Sequence, residues 1–160
     1  MSEVPNTSLL FDVFALNQAV GRLLAAAMRD GPLSPAEYAV YSAVFELEAA
    51  TPTRLAARLG MRLTTFLDQL RVLESRGHAV RVEHPTDGRS YRVVLTAAGL
   101  QAHRGANRLF EAAHRAFEAH LPHGEAAAQA CLLSIRRAAE AAMTGSSEAA
   151  SPRRQPGRAG

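Results

Sequence analysis

Hydrophobic residues recur along this chain with two periods, which separate helices from strands. Between Ser8 and Met28 they return at alternating steps of four and three, at Leu9, Val13, Leu16, Val20, Leu23 and Ala27. Further helices are predicted over residues 35–48, 52–59, 63–76, 97–121 and 125–143. Residues 79–83 and 91–95 instead have the β-branched and aromatic content of strands. The pattern predicts a mainly α-helical fold with one small β-hairpin.

Local signals support several of these boundaries. Ser34-Pro35-Ala36-Glu37 is a capping box with proline at the first helical position, and Thr51-Pro52 opens the next helix in the same way. Gly60 is the expected left-handed cap of that short helix. The apolar side of the helix that begins at residue 35 is predicted to comprise Tyr38, Tyr41, Val44 and Phe45.

The two helices over 52–59 and 63–76 have helix-turn-helix spacing, and the hairpin follows them immediately. Phe66, Leu70 and Leu73 form an inward stripe on the second helix, which is therefore the predicted recognition helix. In a winged helix–turn–helix this helix enters the major groove of DNA. The residues predicted to face that groove are Arg62, Thr64, Thr65, Asp68, Gln69 and Arg71. For Asp68, the alternative is an ordinary solvated helix residue.

The hairpin has the properties of a wing. Pro85-Thr86-Asp87-Gly88 provides strong turn chemistry between the two strands, so that Arg89 projects from the tip. Arg81 and Arg92 are predicted to point outward from the strands and to hold phosphates, and Arg54 and Arg58 have the same potential. Helical surface arginines such as the last two are more often simply solvated.

The Asp-x-Arg pair at Asp87 and Arg89, followed by Leu95, Thr96 and Gly99 in a Leu-Thr-x-x-Gly motif, resembles the MarR family of bacterial transcriptional regulators over residues 8–144. The resemblance implies a dimeric repressor that is released by a small molecule. It also implies that Arg89 enters the minor groove and that Asp87 orients guanidinium groups. The chain departs from the family where Arg62 and Leu63 stand in place of a common serine cap.

The terminal helices carry more apolar surface than a compact winged helix can cover. We therefore expect an N-terminal dimerisation helix (1–33), a DNA-binding lobe (34–96), C-terminal dimerisation helices (97–144) and a disordered tail (145–160). The alternative is that these helices pack within one chain. The resemblance further implies an inducer cleft between the two layers, with candidate lining residues Phe11, Asn17, Tyr38, Tyr41 and Phe110. Aromatic residues at helical spacing are, however, more often plain core.

Charge and composition narrow the function classes. Net charge is only +3, but residues 1–53 sum to −4, residues 54–92 to +4 and the remainder to +3, and every basic residue is arginine. No apolar run approaches the roughly 18–20 residues of a membrane span. The single Cys131 fits a reducing compartment, so a cytoplasmic protein is expected. Neither a catalytic constellation nor a complete set of metal ligands is apparent, which predicts a non-enzyme without metal or cofactor.

Two functions agree with these observations. The first is a homodimeric, ligand-responsive repressor that binds a pseudo-palindromic operator in double-stranded DNA. The second is a winged-helix module whose wing contacts another protein. The arginine-rich block favours the first, because binding to phosphates falls steeply with salt whereas binding to protein depends on it less.

Overall fold

A computed structural model describes residues 8–86 and 88–149 of the chain, with side chains to residue 144. The described part forms two compact units, the first ending at Arg115 and the second beginning at Ala116. In chain order the elements are α1 (Leu9–Ala27), α2 (Pro35–Glu46), α3 (Pro52–Leu59), α4 (Leu63–Ser75), β1 (Ala79–Glu83), β2 (Tyr91–Leu95), α5 (Ala97–Glu118) and α6 (Gly124–Ala149). The predicted mainly α-helical fold with one hairpin is confirmed.

The helix caps predicted for α2 and α3 are present in the structure. The Ser34 hydroxyl accepts a hydrogen bond from the Glu37 amide, and the Glu37 carboxylate accepts one from the Ser34 amide at 2.8 Å. The Thr51 hydroxyl caps α3 by accepting a hydrogen bond from the Arg54 amide at 3.4 Å, and Gly60 ends α3 with φ of +65°. A positive φ is strained for residues with a Cβ, which explains why glycine occupies this cap.

The core of the first unit lies between α2, the helix–turn–helix pair and the hairpin. Tyr41, Leu55, Phe66, Leu70 and Leu73 are among its fully buried side chains. The stripe predicted for α4 is therefore confirmed as the inner face of that helix. Phe45 departs from the prediction for α2, because its side chain is 52% exposed at the end of the helix.

The hairpin is antiparallel and is anchored at its base. The Val93 amide donates to the Ala50 carbonyl at 3.0 Å, which ties β2 to the turn before α3. Thr96 makes a second connection, since its amide donates to the His78 carbonyl at 3.0 Å and its hydroxyl donates to the Gly77 carbonyl at 2.7 Å. The position of the wing is thus set at the middle of β2 and at the base of the hairpin.

Gly99 completes this connection for a steric reason. A Cβ at this position would lie 2.0 Å from the His78 carbonyl oxygen, so no larger residue fits without movement of the backbone. The Gly99 amide donates to the Thr96 hydroxyl at 3.2 Å, which makes Thr96 the side-chain cap of α5. The Leu-Thr-x-x-Gly motif therefore joins the end of α4 to the start of α5.

Helix α1 buries no residue within the described chain. Phe11, Phe14 and Leu16 are exposed, and Leu10 is 73% exposed. By length and composition alone, this 19-residue helix is also apolar enough to cross a membrane. The expectation that no segment meets that criterion was therefore wrong.

Helix α6 is likewise apolar and exposed within its own unit, at Leu132, Leu133 and Met143. It extends to Ala149, beyond the predicted end at residue 143. The prediction of a disordered tail from residue 145 was thus wrong for residues 145–149, which are helical. Residues 150–160 lie outside the described part of the chain.

Candidate nucleic-acid interface

The outer face of α4 displays most of the residues predicted to read DNA bases. Thr64, Thr65 and Asp68 are exposed, whereas Gln69 is half-buried. The helix begins at Leu63, and Arg62 is its N-cap without a side-chain hydrogen bond to the first turn. The first turn of α4 therefore leaves backbone amides that the Arg62 side chain does not satisfy.

Asp68 and Arg71 form an ion pair on this face, three residues apart. Both side chains are more than two-thirds exposed, so the pair contributes little to stability in water. Its effect is positional, because Asp68 holds the Arg71 guanidinium along the helix. Both proposals for Asp68, solvated residue and base reader, remain compatible with this contact.

The wing tip lies between β1 and β2. Arg89 and Gly88 are exposed there, and the Thr86 amide donates to His84 Nδ1 at 3.4 Å before the turn. Asp87, predicted to orient guanidinium groups, lies outside the described residues. The exposure of Arg89 is the property that a contact with DNA would require.

The sequence predicted that both strand arginines point outward. The structure instead places them on opposite faces of the hairpin. In the observed register Arg81 pairs with Val93 and Arg92 pairs with Val82, so they lie on opposite faces of the hairpin. Arg81 shares the face of fully buried Val93 and forms an ion pair with Glu74 at 2.6 Å. Arg92 lies on the other face, and its Nε is buried without a hydrogen-bond partner among the described residues.

Ion pairs also reduce the positive charge that the sequence attributes to residues 54–92. Besides the two pairs already described, Arg58 pairs with Glu46 at 2.8 Å and Arg76 pairs with Glu37 at 2.6 Å. The sum of +4 counts the four carboxylates of this segment but omits Glu46 and Glu37, which come from α2. Much of the arginine content therefore has an internal partner.

Glu37 has a double role at the start of α2. Burial alone would raise its pKa, but hydrogen bonds from Ser34 and the ion pair with Arg76 hold the pKa below its ordinary value. The carboxylate therefore stays charged and links the capping box to Arg76, the C-cap of α4. In this way α4 is fixed to α2 at its C-terminal end.

A cavity of about 260 Å³ lies beside α2 within the first unit. Tyr38 and Phe110, both predicted as ligand-pocket residues, line it with ring centroids 4.8 Å apart. Its polar lining comes from Tyr38, Ser42, Glu46 and Arg58. Because Arg58 belongs to α3, one wall of the cavity is part of the helix–turn–helix.

The other three predicted pocket residues are not in this cavity. Tyr41 is fully buried in the core, with its hydroxyl 2.7 Å from His78 Nδ1 in a hydrogen bond. Burial raises the pKa of Tyr41. Phe11 and Asn17 lie exposed on α1, and Asn17 is thus not the buried polar group that the apolar pattern suggested.

His103 is buried in the core, which the spacing of histidines along the sequence did not predict. Its ring stacks on Tyr38 with centroids 5.5 Å apart and lies 4.8 Å from the ring of Phe45. Its Nε2 is 3.1 Å from the Ser42 hydroxyl in a hydrogen bond. Burial lowers the pKa of His103; the charge of Glu46 opposes this shift, and the charge of Arg104 adds to it.

This lowered pKa predicts an acid-sensitive fold. As pH falls through 6.5, the unfolded chain protonates residue 103 before the folded chain does, so the free energy of unfolding decreases. We expect the parent to lose more stability between about pH 7.5 and 5.5 than His103→Gln, in urea unfolding. His120→Gln, at an exposed position, is the control. Equal losses for the parent and His103→Gln would contradict the prediction.

Solved structures of transcriptional regulators resemble the chain over most of its length. PcaV of Streptomyces coelicolor, in complex with its natural ligand, is 27% identical, with 89% of this chain and 99% of PcaV covered and a TM-score of 0.67. MosR of M. tuberculosis, in complex with DNA, is 22% identical, with 85% and 98% covered and a TM-score of 0.73. Apo MarR from E. coli is 24% identical, with 81% and 96% covered and a TM-score of 0.64. No protein-family model matches the sequence, and no curated protein matches it.

Proposed function

We propose that this chain, which has the winged-helix fold of the MarR family of transcriptional regulators, is itself a DNA-binding regulator and not an enzyme. The observation that carries the proposal is the joint exposure of the α4 outer face and of Arg89 on a wing anchored to the same lobe. A helix inserted in the major groove leaves the adjacent wing beside the minor groove. The similarity to MosR in complex with DNA supports the same function.

In this proposal the α4 residues read bases and the wing arginine reads groove shape. Thr65 and Gln69 carry methyl, hydroxyl and amide groups that suit thymine and adenine edges. Arg89 suits the negative potential of a narrow A·T-rich minor groove, with Asp87 orienting guanidinium groups. Arg62 and Arg71 lie beside Thr65 and Gln69 at the base edges. Arg54 and Arg92 supply phosphate contacts.

The regulator acts as a homodimer in this proposal. The apolar surface of α1 and α6 is exposed in each unit, and such surface is normally covered in a protein in water. Asp12 and Arg22 lie within α1 and oppose a lipid environment, so a second copy is the better cover. A twofold dimer presents two recognition helices and therefore requires a pseudo-palindromic operator.

The cavity beside α2 is the proposed inducer site. Its aromatic rings and its charged pair, Glu46 and Arg58, suit a small aromatic ligand with a polar group. Because Arg58 lies on α3, a ligand that shifts this side chain would act directly on the helix–turn–helix. The similarity to PcaV in complex with its natural ligand supports a small-molecule site. In this proposal the chain is a cytoplasmic repressor that its own small-molecule ligand releases from DNA.

The decisive test is DNA binding by Arg89→Ala. The full-length parent is first used to select a duplex from a randomised library, and affinity is then measured for that duplex and a scrambled one at two salt concentrations. We expect Arg89→Ala to lose roughly 1–3 kcal/mol of binding free energy and to lower the salt slope by about one charge. Helix content and oligomeric state should not change.

Thr65→Ala provides the matched contrast, because a base-reading residue carries sequence preference rather than charge. It should weaken binding to the selected duplex and leave the scrambled duplex and the salt slope unaffected. If the parent selects no sequence and binds any duplex only weakly, the protein-binding wing becomes the better interpretation. If Arg89→Ala binds as tightly as the parent at both salt concentrations, the wing does not contact DNA.

A further inference from the structure

An ion pair joins the last turn of the recognition helix to the first strand of the wing. Arg81 Nε donates to Glu74 Oε1 at 2.6 Å, and Arg81 Nη2 donates to Glu74 Oε2 at 2.9 Å. The guanidinium carbon also lies 4.6 Å from the centroid of the Tyr91 ring. The Arg81 side chain, which belongs to β1, therefore contacts both α4 and β2.

The geometry of this contact fixes the guanidinium in place. A bidentate pair uses both carboxylate oxygens and two nitrogens of the planar fork, which restrains its orientation as well as its distance. The Tyr91 face restrains it from another side through a cation–π contact. Glu74 is only 26% exposed, so its carboxylate is partly shielded from the water that weakens surface ion pairs.

The same geometry makes Arg81 a poor phosphate ligand. A contact with DNA would require the fork to leave the carboxylate or would place a phosphate near the charge of Glu74. The net charge of the pair is zero, so it supplies little of the attraction that releases counterions from DNA. The surroundings of Arg81 therefore disfavour the phosphate contact that was predicted from the sequence.

We propose that Glu74, Arg81 and Tyr91 form a clamp that sets the angle between recognition helix and wing, with Arg81 acting as a positioning residue rather than as a DNA contact. This inference rests on the proposed DNA-binding function. A dimer must place the helix in one groove and Arg89 beside the next simultaneously, so a wing that moves relative to α4 binds its operator less well. The clamp reduces that freedom before binding.

The substitution Glu74→Gln separates positioning from electrostatics, because the two predict opposite signs. Removing a negative charge beside DNA would tighten binding if charge alone mattered. Loosening the clamp instead weakens binding to the selected duplex by about two- to fivefold, the effect of one partly exposed ion pair. Glu83→Gln is the matched control, since it removes the same charge two residues from Arg81, and it should bind equally or slightly more tightly. Glu83 pairs with Tyr91 across the hairpin, but its carboxylate takes part in neither contact of Arg81.

Arg81→Lys and Arg81→Gln provide the second comparison. Lysine retains the charge and would preserve a phosphate contact, but it cannot reproduce the fork, so the clamp predicts similar losses for both variants. The salt slope should stay that of the parent in both. In the double variant with Glu74→Gln the second substitution should add little, because the clamp is already open.

The measurements use the full-length protein, the duplex selected by the parent and a scrambled duplex of equal length. Stoichiometric titration gives the active fraction, so a variant that merely unfolds is distinguished from one that folds and binds weakly. The proposal is overturned if Glu74→Gln binds more tightly than the parent, or if Arg81→Lys binds like the parent while Arg81→Gln lowers the salt slope by about one charge. Failure of the parent to select any duplex would instead refute the proposed function, and the clamp with it.

Discussion

Gly99→Ala is expected to destabilise the protein by about 3 kcal/mol, because the new methyl group would overlap the backbone carbonyl of His78 rather than a flexible side chain. To remove this overlap, α5 must move away from the turn between α4 and β1. That movement breaks the hydrogen bonds of Thr96 to Gly77 and His78, which anchor the hairpin. Thermal unfolding should show a Tm lower by roughly 5–10 °C, together with weaker binding to DNA.

Gly105→Ala is the matched control on the same helix. Its Cβ would approach only the Pro32 side chain, at 3.1 Å, and alanine favours the helix by about 1 kcal/mol over glycine. We therefore expect a change in stability close to zero. A Tm for Gly99→Ala within two degrees of the parent would show that the turn at His78 yields easily and that the Leu-Thr-x-x-Gly connection does not depend on close approach.

Replacing two exposed apolar residues of α1 is expected to convert a dimer into a monomer. Leu10 and Phe14 lie one turn apart and are 73% and 60% exposed, so Leu10→Glu with Phe14→Glu places two charges on the proposed interface. Obligate interfaces bury about 2,000 Å² or more and do not tolerate unpaired buried charges. Sedimentation at micromolar concentration should change from a mass of about 34 kDa, twice the 17.1 kDa chain, to that of the monomer.

Ala19→Glu controls for the added charge, since Ala19 is exposed on the side of the same helix opposite to Leu10 and Phe14. It should remain dimeric. The double variant should also lose most of its affinity for the selected duplex, because each half-site is then bound separately. A monomeric parent at micromolar concentration would refute the dimer and, with it, the pseudo-palindromic operator.

Local sequence determined the elements of this fold and the order in which they occur. The capping box at Ser34, the cap at Gly60 and the bounds of both strands follow from interactions within a few residues, and all are present in the structure. The buried stripe of α4 followed from helical periodicity in the same way. These features depend on short-range sterics and hydrogen bonds, so sequence spacing is sufficient to predict them.

Tertiary structure alone decided which side chains are available for function. Strand alternation predicted Arg81 and Arg92 on one side, but it was the pairing register that placed them on opposite faces of the hairpin. Tyr38 and Tyr41 belong to the same predicted stripe, yet one lines a cavity and the other is buried against His78. Their difference arises from the segment packed against each, which sequence periodicity does not specify.

The property least determined by sequence was which charged side chains pair with one another. Arg58, Arg76 and Arg81 count as positive in any sum along the chain, but each lies against a carboxylate that is between seven and 39 residues away. Coulomb interactions depend on distance in space, and folding brings these groups within 3 Å of one another. The sequence therefore determined that this chain forms a winged helix with an arginine-rich lobe, whereas only the packing of α2, α4 and the hairpin decided which arginines hold the lobe together.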